Sequence, residues 1–399
     1  MSEVRDPYQA LGVSATKKGV HEATKDLSKG LYPGAFCKIM NMPNIFGNDY
    51  VQVIHSDGAG TKSNLAYLMK MEGFEDYLKH FSSLSQDVTV MNIDDMAAVG
   101  IVDNIFISNH IGRNANRISD EDVSAVINGY VSFFEILRKL GIHITEAGGE
   151  TADVGSYITT LGLDATTIGY IEKNKVVDCS NIRSGDVIVG LSSVGQSLYE
   201  SSYNSGIRSN GLTLAINSML NPYYRKYTEA WDNTLDPSKV FRGPHYLHDK
   251  LEGTDLTIGE ALLSPTRTYL PILKEILETP EIEIHGIIHC SGGGVTKCIN
   301  FGREIAYIKE SLPNMPPLFK AIQSTEDIED RYMFQTFNNG IGMDIVVPDC
   351  KSAVAIIEIS KKMGVAATII GYVQKSNNLN TNQVIIKRGS KTIEYLKNI

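Results

Sequence analysis

The stretch Asp57-Gly-Ala-Gly-Thr-Lys62 places a carboxylate, two glycines and an ammonium group within six residues. Gly58 and Gly60 lack a Cβ, so backbone N–H groups there can approach a phosphate closely and the chain can turn through positive φ. Thr61 lies between the second glycine and Lys62, whose ammonium supplies a compact positive charge. Asp57 is of the type that holds a magnesium ion accompanying phosphates. The spacing is not that of a Walker A loop, because Lys62 follows a threonine here, with no glycine before it. Taken alone, a Gly-x-Gly turn after a strand is more often a plain structural turn.

A second set of carboxylates is Asp87, Asp94 and Asp95. Helical periodicity over residues 87–98 puts Asp87 and Asp95 on one face with Met91 and Ala98. Carboxylates on an apolar face need a partner, and magnesium or a basic side chain would serve. Asp94 projects roughly 100° away from Asp95, so the two do not face one ion in the same way. Asp87 is equally read as a helix N-cap. The third set is Gly148-Gly149-Glu150-Thr151, expected as a turn after a short strand. A carboxylate there sits where α/β sites gather ligands, although a solvated turn residue explains it as well. Ser209-Asn210-Gly211, Asn338-Asn339-Gly340 and His289 before Ser291-Gly292-Gly293-Gly294 are weaker features. Together these residues point to magnesium-dependent phosphate chemistry.

The elements that must hold them follow from the pattern. Residues 50–54 alternate as a strand running into the first motif. Ile101 to Ser108 reads as a strand, and Ser119-Asp-Glu-Asp122 as a capping box opening a helix that ends at Gly141. Tyr157 to Val177 reads as two paired strands, and Val187 to Leu191 as another. The second half interleaves a helix around Ile272 and Ile276, strands at residues 284–289 and 343–347, a helix from Ser352 to Met363 and a strand near Ile369. Interleaved helices and strands make the class α/β or α+β. Residues 1–48, rich in breakers, read as an arm with room for one short helix around His21 to Ser28. The domains expected are 49–176, carrying the phosphate and magnesium candidates, and 177–399.

With 399 residues, two domains are the natural division. Apolar residues make up 42% and charged residues 21%, as in ordinary globular proteins. The net charge of −9, from 37 basic and 46 acidic side chains, argues against a nucleic-acid polymer as partner. No apolar run is long enough for a membrane span, and no leader is visible before Tyr8, so a cytoplasmic protein is expected. The five cysteines (Cys37, Cys179, Cys290, Cys298 and Cys350) form no CxxC pair and have no histidine at metal spacing. They read as reduced thiols.

The order of the motifs carries more than any one of them. Asp57-Gly-Ala-Gly-Thr-Lys62, Asp95 before an apolar segment, Gly148-Gly-Glu-Thr-Ala152, Ser209-Asn-Gly211, Leu262-Leu-Ser-Pro-Thr-Arg267, Gly292-Gly-Gly294 and Phe337-Asn-Asn-Gly-Ile-Gly-Met343 follow one another in this chain. That succession, over about residues 8–375, resembles the phosphoribosylformylglycinamidine cyclo-ligase (aminoimidazole ribonucleotide synthetase) family. The resemblance implies a two-domain α/β fold in which first-domain strands of two subunits join in a shared barrel, hence a homodimer, beside a sandwich-like second domain. It implies ATP and magnesium as cofactors and a phosphorylated ribonucleotide as substrate. In the implied reaction the formyl oxygen of formylglycinamidine ribonucleotide attacks the γ-phosphoryl group of ATP, and a ring-closing nitrogen then displaces phosphate.

By position, the resemblance implies that Asp57, Asp87 and Asp95 serve the metal, and that Lys62, Asp95 and Glu150 are catalytic. Gly58, Gly60, Thr61, Gly148, Gly149, Thr151, Ser209, Asn210, His289, Gly292 and Gly293 then line the ATP and substrate sites. Lys17, Lys18 and Lys25 are candidates on an arm that closes over ATP. The chain departs from the family at Arg208, where His is usual, after an insertion from Gln196 to Ile207; at Asp153-Val-Gly, where Glu-Met-Pro is usual; and at Asn109, where Asp is common. Arg208 is expected to keep a phosphate-binding role, since arginine grips phosphate with two parallel hydrogen bonds. The competing readings are a sister small-metabolite kinase, a selenophosphate-synthetase-like enzyme, and a catalytically silent ATP-binding subunit.

Overall fold

A computed structural model describes residues 30–41, 49–378 and 381–397. The expected helix at residues 21–28 and the candidates Lys17, Lys18 and Lys25 lie outside the described residues. The first sheet contains β1 (Met40–Asn41), β2 (Tyr50–Gly58), β3 (Ile105–Arg113), β4 (Ile144–Asp153) and β5 (Leu161–Glu172), in the order β1-β2-β5-β3-β4. Its pairings are antiparallel except for β3 with β4. The single strand β5 replaces the two paired strands expected over residues 157–177.

Alternation decides what the first sheet buries. Val51, Val53, Ile105, Ile107, Leu163 and Ala165 point inward and are almost fully buried. The inward face is covered by α1 (Lys62–Met71) and the long α2 (Tyr77–Ala97), with α3 (Asp120–Lys139) packed on α2. Asp87 sits in the middle of α2 and so is not a cap. Ser119 and Asp122 do form the capping box of α3, each side chain bonding the other's backbone N–H.

Gly148-Gly-Glu-Thr151 is not a turn. These residues lie within β4, an exposed edge strand. Between the pairs Ile107–Glu146 and Asn109–Gly149 the register slips by one residue, a bulge that Gly148 accommodates at φ +97°. A Cβ on Gly149 would lie 2.5 Å from the Asn109 carbonyl oxygen, so that position too requires glycine.

The second sheet has the order β12-β11-β8-β10-β6-β9-β7, built from β6 (Val187–Ser192), β7 (Gly286–His289), β8 (Ile305–Lys309), β9 (Ile341–Val347), β10 (Ala367–Lys375), β11 (Gln383–Arg388) and β12 (Lys391–Leu396). Helices α4 (Leu212–Met219), α5 (Ile258–Leu262), α6 (Leu270–Leu277), α7 (Pro317–Thr325), α8 (Asp330–Thr336) and α9 (Cys350–Lys362) accompany it. One apolar core runs from β2 and α2 through to α6 and β9, so the two halves are packed on each other. The two sheets with their helices make the fold mixed α/β, as expected. No described helix is long and apolar enough to cross a membrane.

Candidate active site between the two sheets

Helix α2 presents its carboxylates to the second half of the chain. Asp87 accepts from Lys62 Nζ at 2.6 Å and from the Thr266 backbone N and hydroxyl at 2.8 and 2.5 Å. Lys62 also donates to the Ser264 carbonyl at 2.6 Å, and both side chains are fully buried. Burial pushes the Lys62 ammonium below its usual range, against the pull of Asp87. In this structure Lys62 points inward and clamps the Ser264–Thr266 segment, and Asp87 gives that clamp one oxygen, Oδ1, while its Oδ2 is buried without a partner.

Asp94, one turn pair further along the same face, accepts from the Thr268 hydroxyl at 2.6 Å and the Tyr269 N–H at 3.2 Å. It lies 3.5 Å from an Arg208 guanidinium nitrogen. The Leu262-Leu-Ser-Pro-Thr-Arg267 motif is thus a docking segment for α2. Arg267 closes on Glu200 and on the carbonyls of Ser192, Val194 and Gly195, which holds the 196–207 insertion against the body.

Asp95 turns to a different group. Its Oδ1 accepts from His289 Nδ1 at 2.5 Å, and its Oδ2 is 3.2 Å from His55 Nε2. Arg208 bonds the other His289 nitrogen, Nε2. Arginine has no acceptor, so His289 Nε2 must accept and Nδ1 must carry the proton given to Asp95. Burial opposes charge on Asp95, yet His289 and His55 hold its carboxyl well below the usual range. Burial pushes His55 down, but its bond to Asp95 prevails and raises it. Cys37 joins the group by donating its thiol to the Asp95 backbone carbonyl at 3.0 Å.

Asp57 ends β2 beside this group, with Oδ1 accepting the Gly58 N–H at 2.8 Å. Burial, then the nearby Asp95 charge, raises its carboxyl above the usual range. Its neighbour Gly60 takes φ +61° with no atom near its missing Cβ, so the loop face there is open. On the other wall, Gly292 and Gly293 follow β7. Gly292 lies 3.5 Å, measured from an ideal Cβ, from Asn210 Oδ1. Asn210 Nδ2 is buried without a partner, and Ser209 meets the Thr266 hydroxyl at 3.0 Å.

Arg208 does not offer itself to a substrate phosphate. It is 1% exposed, stacks 5.2 Å from the Tyr269 ring centroid and donates to the Arg267 carbonyl as well as to His289. Glu150 and Thr151 are likewise not brought to Asp57. Asp57, Ala165, Asn109 and Gly149 stand in one row across β2, β5, β3 and β4, so three strand spacings, about 14 Å, separate the ends of that row. Gly149 and Glu150 instead line a cavity of about 250 Å3 with Asn109, whose amide is buried and unpartnered. Sequence reasoning gave His55 no role, read Cys37 only as a reduced thiol and listed Asp94 without assigning it a partner, since the partners lie far away along the chain. The alternation of β2 was the available signal, since it places His55 and Asp57 on the buried face with Val51 and Val53.

Residues 34–171 match the model for AIR synthase related protein, N-terminal domain, and residues 243–382 match that for its C-terminal domain. The chain belongs to the AIR synthase related family. Among relatives in this family, a phosphoribosylformylglycinamidine cyclo-ligase of Methanocaldococcus jannaschii is 29% identical over 347 residues, covering 87% of this chain and 84% of the relative. The cyclo-ligase of Acetivibrio thermocellus is 28% identical over 373 residues, covering 90% and 94%. Two solved structures share the fold at low identity. Phosphoribosylformylglycinamidine synthase II of Thermotoga maritima superposes with a TM-score of 0.55 at 15% identity, over 97% of this chain. The chain spans 50% of that protein's length. AaThiL complexed with AMPPCP and TMP superposes with a TM-score of 0.53 at 12% identity, covering 95% of this chain and 96% of that one.

Proposed function

We propose that this chain is an ATP-dependent cyclo-ligase that closes formylglycinamidine ribonucleotide to 5-aminoimidazole ribonucleotide, with ADP and phosphate as the other products. The observation that carries it is the meeting of Asp57, Asp95, His289 and the Gly292–Gly293 loop between the two sheets, in a chain whose relatives are cyclo-ligases over most of their length. AaThiL, of the same fold, binds AMPPCP, which supports a nucleotide in that cleft. An amide oxygen is a poor leaving group, and phosphorylation makes it a good one. The protein's tasks are to align both reactants and to neutralise developing charge.

Magnesium fits the donors present. Asp57 keeps one carboxylate oxygen clear of the Gly58 bond, at the end of β2 beside the open loop face at Gly60. Asp57 would hold the ion, which when bound supplies charge neutralisation at the phosphates. Gly58 and Gly60 leave backbone room for a phosphate, and the Gly292–Gly293 loop faces the substrate with Asn210. The cavity at Asn109 and Glu150 supports a separate hydrogen-bonding pocket for ligand. Purified protein with magnesium-ATP is expected to release ADP only when formylglycinamidine ribonucleotide is present, with one aminoimidazole ribonucleotide per ADP. ADP release with a different metabolite and not this one would move the chain to the sister-kinase reading.

A homodimer belongs to the same proposal. The outward face of the first sheet carries Tyr50, Ile54, Phe106 and Tyr170, from 38% to 57% exposed. Ile54 and Phe106 both stand opposite Ile168 in the register, which makes an apolar band across three strands. A second copy would cover that band and the exposed β4 edge. Light scattering should give about twice the 43.8 kDa chain mass, and Ile54→Glu should halve it. An active wild-type monomer would sink the shared-barrel picture.

A further inference from the structure

The fold assembles a donor set that the spacing of the cysteines and histidines in sequence conceals. Cys37 Sγ, His55 Nε2 and an Asp95 carboxylate oxygen lie within 4.8 Å of one another. They come from the segment before β1, from β2 and from α2. Cys37 and Asp95 are 7% and 8% exposed. We propose that Cys37, His55 and Asp95 bind a divalent transition-metal ion, zinc by donor type, that ties the segment around Cys37 to the floor of the cleft. The inference goes beyond the ring-closing reaction and stands or falls separately from it.

The orientation of each donor supports the assignment. Asn92 donates its amide hydrogens to the carbonyls of Asp57 and Val88, at 3.1 and 2.9 Å. Its Oδ1 therefore faces His55 Nδ1, at 3.2 Å, and that nitrogen carries the proton. In the metal-free protein His55 Nε2–H points at Asp95 Oδ2, so a metal ion bound among His55, Asp95 and Cys37 takes the place of that proton. Asp95 is fixed from behind in the same way, because Oδ1 is taken by His289 and Oδ2 is the oxygen 3.2 Å from His55 Nε2. Metal-binding histidines and carboxylates are ordinarily held by such outer partners. Zinc bonds of about 2.0–2.2 Å to N and O at a tetrahedral angle place those two donors about 3.3–3.5 Å apart, close to the spacing found.

The donor types also separate this ion from magnesium. Thiolate and imidazole favour zinc and its transition-metal neighbours, whereas magnesium takes oxygen ligands in an octahedron. Binding releases two protons to solvent, from the Cys37 thiol and from His55 Nε2, in exchange for sulfur–metal and nitrogen–metal bonds; the thiol's hydrogen bond to the Asp95 carbonyl and the His55 bond to the Asp95 carboxylate are given up. Three protein ligands leave a fourth position for water or a substrate oxygen. Phe36, next to Cys37 in sequence, stacks on Phe301 at 5.2 Å between ring centroids, which helps to cover the group.

The test is a cobalt titration of the full chain, prepared without a metal-affinity step and stripped with a chelator. The expected result is a thiolate-to-cobalt charge-transfer band saturating at one equivalent per chain and undiminished by excess magnesium. Cys37→Ser should abolish the band, while Cys350→Ser, which alters the exposed cysteine, should leave it intact. Asn92→Leu should keep the band and weaken cobalt binding by about 10- to 100-fold. His55→Gln provides the check if Cys37→Ser does not fold, with a larger loss expected than for Asn92→Leu. No band in the wild type, a band that survives in Cys37→Ser, equal affinity in His55→Gln, or displacement by magnesium would each overturn the proposal.

Discussion

Lys62→Met is expected to lower folding stability by about 3–5 kcal/mol, because it leaves the Asp87 carboxylate buried without its cation. Lys62 and Asp87 meet at 2.6 Å with no solvent contact, and Lys62 also satisfies the Ser264 carbonyl. A urea titration should show the midpoint falling while the slope is kept. The double change Lys62→Met with Asp87→Leu should recover part of the loss, since no unpaired charge then remains. Recovery stays incomplete because Thr266 loses the acceptor for its N–H and hydroxyl. A lysine that served only to face phosphate would behave differently: Lys62→Met would unfold at the wild-type midpoint and lose turnover alone. That outcome would return Lys62 to the role its motif implies.

The contrast between Lys62 and Asp57 shows how far the sequence reading reached. Strand alternation into Asp57 and the helical period through Asp95 located the right elements, because both patterns are local. The period also put Asp87 and Asp95 on a face that needed partners, and both have them. Which partner each takes is decided by chain segments about 100 to 200 residues away, such as Thr266 for Asp87 and His289 for Asp95. No spacing rule reaches that far. Asp94 was set aside by its 100° offset from Asp95, yet seven residues bring it back to within about 20° of Asp87, and one segment receives both, Thr266 bonding Asp87 and Thr268 bonding Asp94. Gly148-Gly-Glu-Thr151 misled for another reason. Two glycines read as a turn, whereas here they make room for a bulge and a close strand neighbour. The cysteines show the same limit: Cys37 and His55 are 18 positions apart, and only the fold makes them neighbours.

Asp57→Asn is expected to reduce kcat by about 10²- to 10³-fold, the cost typical of removing one preorganised charge-stabilising group from an active site. The fold should survive, because the asparagine Oδ1 can still accept the Gly58 N–H that Asp57 takes at 2.8 Å. What disappears is the charge. Burial and Asp95 make that charge costly in the free protein, and a cation that joins during turnover offsets the cost. The variant should therefore need more magnesium for half-maximal rate, and the neutral side chain should ease the repulsion on Asp95. Thermal or urea midpoints at or slightly above wild type would accompany the lost activity. This separates Asp57 from Lys62, whose replacement lowers stability first. Wild-type turnover at wild-type magnesium in Asp57→Asn would remove Asp57 from the phosphate site. The open loop face at Gly60 would then have to find its cation elsewhere.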